Sequence, residues 1–128
     1  MKRDWKVIEN IMEHIEKEDL HEYVSDQKYL TELHMDVDDY LGHVRLIQEA
    51  GLVRSCLIPK DRYLGYTGVY LKDAYITMSG YDLLDAMRNK TMWTAIKAKA
   101  ASCGVLLSWE FIKAAIPVVI KEALERGA

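Results

Sequence analysis

Cysteine is scarce in this chain. Cys56 and Cys103 lie far apart and form no C-x-x-C pair, so a disulfide framework has no basis and two reduced, inert thiols in a cytosolic protein are the reading. An excess of positive charge is also missing. Lys and Arg number 17 against 20 Asp and Glu, a formal net charge of -3, where a general nucleic-acid binder is more often basic. Nor is there a long apolar run fit for a membrane: Ala100–Ile120 is interrupted by Glu110, Lys113 and Pro117, and the charged opening MKRDWKVIE does not read as a signal peptide.

The motifs of catalysis are missing too. His21-Glu22-Tyr23-Val24-Ser25 lacks the second histidine of a zinc motif. Asp36-Val37-Asp38-Asp39-Tyr40-Leu41 starts like a calcium loop but has neither an oxygen ligand at its fifth position nor a glycine at its sixth. There is no G-x-S-x-G and no phosphate-cradling glycine run. His14, His21, His34 and His43 show no ligand spacing with either cysteine. The expectation is a protein that is not an enzyme, with no cofactor, no metal and no small-molecule substrate.

What is present is a helical pattern. Half of the 128 residues are hydrophobic, enough for a real core. Asp4 caps a predicted helix over Trp5–Lys17, with Trp5, Ile8, Met12 and Ile15 on one face. Leu20–Leu33 fits short strands or a short helix equally well. The chain is then organised around a central helix: Asp36 caps it, Asp38 and Asp39 occupy its first turn, Val37, Tyr40, Leu41, Val44 and Ile47 recur at helical spacing, and Gly51 ends it. Leu52–Ile58 reads as a strand, Pro59–Gly68 as a turn-rich loop, and Val69–Leu71 with Tyr75–Thr77 as a second strand. Ser79 is expected to cap a helix over Gly80–Asn89, Thr91 one over Met92–Ala101, and Ser108 a last one over Trp109–Arg126. Pro117 should kink or split that last helix, whose apolar residues Trp109, Phe111, Ile112, Ile116, Val118, Val119 and Ile120 cover most of its circumference.

The fold class expected is mainly α with a small antiparallel β wing: a winged helix-turn-helix over residues 1–90, followed by C-terminal helices over 91–128 that pack on it. On the central helix, the side opposite the apolar face presents Asp38, Asp39, Gly42, Leu46 and Glu49, with Arg45 at its edge. A helix entering a major groove needs donors and positive charge, so contacts to double-stranded DNA would have to come from Arg45, Arg54, Lys60, Arg62 and Lys72. Gly42 and Leu46 suit close approach by another helix instead, and with Trp109 and Ile116 they form the alternative interaction face, for a second copy or another protein. The charge is uneven: residues 1–64 carry 9 basic and 14 acidic side chains, and residues 65–128 carry 8 and 6.

Three segments carry a family resemblance: Met1–Asp4; Asp36–Val53, above all His43-Val44-Arg45-Leu46-Ile47-Gln48-Glu49-Ala50-Gly51-Leu52; and Ile76–Trp93. In them the chain resembles a bacterial and prophage family of unknown function whose members are described as winged-helix-like. Tyr81 stands where that family usually has a histidine, and Leu20–His34 matches poorly. The resemblance implies a winged-helix-like fold, a cytoplasmic setting and a regulatory role. It brings no activity and no site residues. A prophage-type transcriptional regulator is the first functional expectation, and a protein–protein interaction module without DNA binding is the second.

Overall fold

The computed structural model describes residues 1–56 and 71–127. The chain divides into two compact units, Met1–Tyr81 and Asp82–Ala128. The first begins with helix α1, Trp5–Glu16, where the Asp4 carboxylate accepts the Lys6 N–H at 2.9 Å. Its apolar positions are helically spaced, and Val7, Ile8, Ile11, Met12 and Ile15 are all buried. Each such side chain contributes about 1.5–3 kcal/mol by leaving water. Glu18 then turns the chain in a left-handed conformation (φ 62°), its N–H bonding to the Ile15 carbonyl and that of Asp19 to His14.

The stretch that fitted strand and helix equally is helical, as α2 (Leu20–Ser25) and α3 (Lys28–Glu32). The physical reason is the spacing of its anchors. Leu20, Tyr23 and Val24 are buried at i, i+3 and i+4 while Glu22 is exposed, whereas a strand would have turned Glu22 inward with its neighbours two residues away. Gln27, left-handed at φ 56°, separates the two helices.

The central helix is α4, Val37–Glu49, capped by Asp36, which accepts the Asp39 N–H at 2.8 Å. It ends in a Schellman turn: Gly51 at φ 79° donates to the Gln48 carbonyl, and Leu52 N–H reaches back to Ile47 at 2.9 Å. Strand β1 (Val53–Arg54) follows and pairs antiparallel with β2 (Tyr75–Ile76), Val53 opposite Ile76 and Arg54 opposite Tyr75. Val53 and Ile76 are buried while Arg54 and Tyr75 face out, the two-residue alternation of a half-buried ribbon. The Gln48 amide extends this ordering beyond β1, donating to the Cys56 carbonyl at 2.8 Å and accepting the Cys56 N–H at 2.6 Å. A small antiparallel sheet is thus present. The expected loop Pro59–Gly68, with Lys60 and Arg62, lies outside the described residues, as do the end of the first expected strand and the start of the second.

Helix α5 spans Met78–Arg88, and Leu83, Leu84, Ala86 and Met87 are buried. Its cap is Thr77, not Ser79: the Thr77 hydroxyl accepts the Gly80 N–H at 3.1 Å. Helix α6, Lys90–Cys103, is likewise capped two residues earlier than expected, by Asn89 rather than Thr91, with the Asn89 amide oxygen 3.1 Å from the Met92 nitrogen. Ser79 and Thr91 lie inside the first turns of α5 and α6, and the residues just before those helices, Thr77 and Asn89, accept the free N–H groups. Gly104 (φ 68°) ends α6, and Ser108 caps α7, Trp109–Gly127, by accepting the Phe111 N–H. Pro117 lies inside α7 without splitting it. Helices α6 and α7 pack together, burying Ile96, Ala100, Ile112, Ala115 and Val119, with a Lys99–Glu122 ion pair at 2.9 Å. Among the described residues no helix is long and apolar enough to cross a membrane.

Candidate functional site

Among the described residues, a cluster of linked polar side chains lies where α1, α2, α3 and α4 meet. His14 donates from Nδ1 to the Asp19 carboxylate at 2.7 Å, and its ring stacks on Tyr23 with centroids 3.8 Å apart. Tyr23 donates to Glu32. Asn10 bridges two tyrosines, accepting the Tyr40 hydroxyl at 3.1 Å and reaching the Tyr23 oxygen at 3.4 Å with its amide nitrogen. Tyr29 stacks on Tyr40 with centroids 4.4 Å apart. A directional chain results, from Tyr40 through Asn10 and Tyr23 to the Glu32 carboxylate. Burial, reinforced by the hydrogen bond to Glu32, pushes the Tyr23 hydroxyl up to about 12, and burial raises Tyr40 as well. Both phenols stay protonated at neutral pH and act as donors. The arrangement resembles an active site in composition, but its polar groups are hydrogen-bonded to one another.

His43 is fully buried on α4, beside Tyr40 and Val44. Its Nδ1 lies 2.7 Å from the Asp39 carbonyl and must donate to it, while Nε2 accepts the Asp4 backbone N–H at 2.9 Å. The two contacts fix one neutral tautomer and tie the chain start to the central helix. Met1 lies on the same helix: a Cβ on Gly42 would stand 2.5 Å from its sulfur. A third join links α4 to α5. Thr77 donates its N–H to the Leu52 carbonyl at 3.0 Å and its hydroxyl to the Gly51 carbonyl at 2.6 Å. Gly80 permits this approach, since a Cβ there would stand 2.1 Å from the Leu52 oxygen. The three segments carrying the family resemblance therefore meet in space, Met1–Asp4 at Gly42 and His43, and Gly51-Leu52 at Thr77 and Gly80.

The sequence-derived site residues that the structure describes lie on α4, β1, the turn before β2 and α7. Arg45 is exposed on the outer face of α4, between the exposed Asp38 and Glu49. Arg54 is exposed on β1 and reaches the Gln48 carbonyl at 3.4 Å; Lys72 is exposed in the turn before β2. Gly42 and Leu46 are half-buried on α4, and Trp109 and Ile116 half-buried on α7. Lys60 and Arg62 lie outside the described residues. Sequence reasoning passed over Asn10, Tyr29, Glu32 and Thr77, and only the helical spacing of Tyr23, Tyr29 and Tyr40 once α2 and α3 are helices could have located that cluster. Among the described residues no group of three His, Cys, Asp or Glu is placed to hold a metal ion.

Comparison with known proteins adds a family without an assigned activity. The sequence pattern of the hypothetical-protein family DUF2513 matches residues 2–106. An uncharacterized protein of Haemophilus influenzae is 27% identical over 124 residues, spanning 97% of this chain and 99% of that protein. No solved structure matches.

Proposed function

We propose, for a chain that belongs to the hypothetical-protein family DUF2513, a role exercised by docking and not by catalysis: a winged-helix-like binding protein of a bacterial or prophage regulatory setting, acting in the cytoplasm. One observation carries the reading. Among the described residues of Met1–Tyr81 the convergent ionisable and polar side chains are turned onto one another, His14 onto Asp19 and Tyr23 onto Glu32, while both ring nitrogens of His43 are taken by backbone groups of Asp4 and Asp39, with no aligned nucleophile and base among them. The central helix, its glycine stop and the antiparallel ribbon after it support the winged-helix-like description.

For the partner, the outer face of α4 favours a second reading over DNA recognition by that helix. Asp38 and Glu49 flank Arg45 there, and phosphates would meet two carboxylates for one guanidinium. A protein-interaction module, binding another protein or a second copy, fits that face better. The test of the shared premise is turnover. Purified protein is expected to leave ester, phosphate-ester and glycoside reporter substrates at the buffer rate. A turnover abolished by His14→Ala or Tyr23→Phe, with the fold retained by circular dichroism, would overturn it.

A further inference from the structure

The outward side of α6 has the chemistry that α4 lacks. Lys90, Thr91, Thr94, Lys97, Ala98 and Ala101 are all exposed and share one face, opposite the buried Ile96 and Ala100. Helix α6 contains no carboxylate from Lys90 to Cys103, in a chain whose net charge is -3. Its third lysine, Lys99, is turned away and paired with Glu122 on α7; among the described residues Lys90 and Lys97 have no such partner.

We propose that this face of α6 is a contact surface for duplex nucleic acid, with Lys90 and Lys97 on phosphates and the threonine hydroxyls between them. The inference rests on the docking reading above and names its partner and surface. Lys90 and Lys97 lie on one side of the helix seven residues apart, about 10 Å along the axis at 1.5 Å per residue. That is close to the roughly 12 Å width of a major groove, whose two edges are lined by phosphates. Between them Thr91 and Thr94 offer hydroxyl donors and acceptors, and Ala98 and Ala101 leave the helix slim enough to approach. An acidic protein is the weaker match, because the core of a protein interface is built on aromatic, Met and Arg anchors and this face has none. The cationic face also opposes the sign of the whole chain, so attraction of a polyanion is local to α6.

The experiment is a fluorescence-anisotropy titration of a short labelled random-sequence duplex at low and moderate salt, with the full chain and with Lys90→Gln/Lys97→Gln, whose exposed positions and good helix propensity preserve the fold. The parent is expected to bind with a steep salt dependence. The double variant should bind severalfold more weakly, with a salt slope flatter by roughly two units, one for each phosphate that a lysine no longer neutralises. Binding with an unchanged slope in the double variant overturns the α6 surface. No binding by the parent at low salt overturns the nucleic-acid partner, and displacement of the duplex by polyglutamate at matched charge assigns the face to acidic polypeptides; in both cases the docking reading stands. Only the turnover assay above can remove that reading.

Discussion

Replacing Gly80 by alanine tests how the three joined segments hold Met1–Tyr81 together. Gly80 is the third residue of α5, where alanine would normally stabilise a helix by about 0.8–1.0 kcal/mol. Here the new Cβ would stand 2.1 Å from the Leu52 oxygen and 2.7 Å from Cγ2 of Ile76. The obstacle is a backbone carbonyl, which no side-chain rotation can move. The start of α5 must back away by more than an ångström to restore ordinary van der Waals separation. That retreat strains the Thr77 N–H bond to Leu52 and the Thr77 hydroxyl bond to Gly51, each contributing about 0.5–1.5 kcal/mol. Overpacking adds roughly 1–3 kcal/mol. After subtracting the helix-propensity gain, Gly80→Ala should cost about 3 kcal/mol, a large share of the 5–15 kcal/mol typical of a folded domain. Urea unfolding followed by tryptophan fluorescence should show the midpoint falling by roughly 1.5 M for an m-value near 2 kcal/mol/M. Gly127→Ala, which meets nothing within 4 Å, is the control and should leave the midpoint in place. A Gly80→Ala protein as stable as its parent would refute the close approach of α5 to Leu52.

Gly42→Ala should behave in the opposite way: its Cβ meets only the flexible end of Met1, so urea melts should show no loss and up to about 1 kcal/mol of gain. His43→Leu removes the acceptor of the Asp4 N–H and the donor to Asp39, and should cost about 1–3 kcal/mol in the same assay. Pro117→Ala restores a backbone donor inside the continuous α7 and should raise the thermal midpoint, a gain of about 1–3 kcal/mol if the helix is unstrained; a lowered midpoint would show that the proline is accommodated by packing. Burial pushes the Cys56 thiol up to about 11, so Cys103 should react with a thiol reagent at pH 8 and Cys56 only after unfolding. Because the folded-state value is raised, the associated stability is fully present below about pH 9 and is lost as pH rises through 11, with Tyr23 extending the decline towards 12; a pH series of urea melts that stays flat from 9 to 12 would contradict both.

Local rules written in the sequence were enough for the main helices. Asp4, Asp36 and Ser108 cap the helices they precede, Gly51 and Gly104 stop theirs, and the spacing of Val44 and Ile47 sets the inner face of α4, because capping and periodicity depend only on near neighbours. Where two nearby residues could each cap, as with Thr77 and Ser79 or Asn89 and Thr91, the local code was degenerate and packing chose. Tertiary structure alone decided the character of Leu20–Leu33, since helices of six and five residues have no decisive period until Leu20, Tyr23, Val24 and Tyr29 find a core to enter. It alone brought the Asp4 N–H to His43 and set Gly80 against Leu52, joins between segments far apart in the chain that no short window of sequence contains. The same holds for the surfaces. Lys90 and Lys97 read as ordinary charges along the chain, and they became one acid-free face only when Ile96 and Ala100 turned inward and α7 drew Lys99 away, because burial of one helix side determines what the other side shows to solvent.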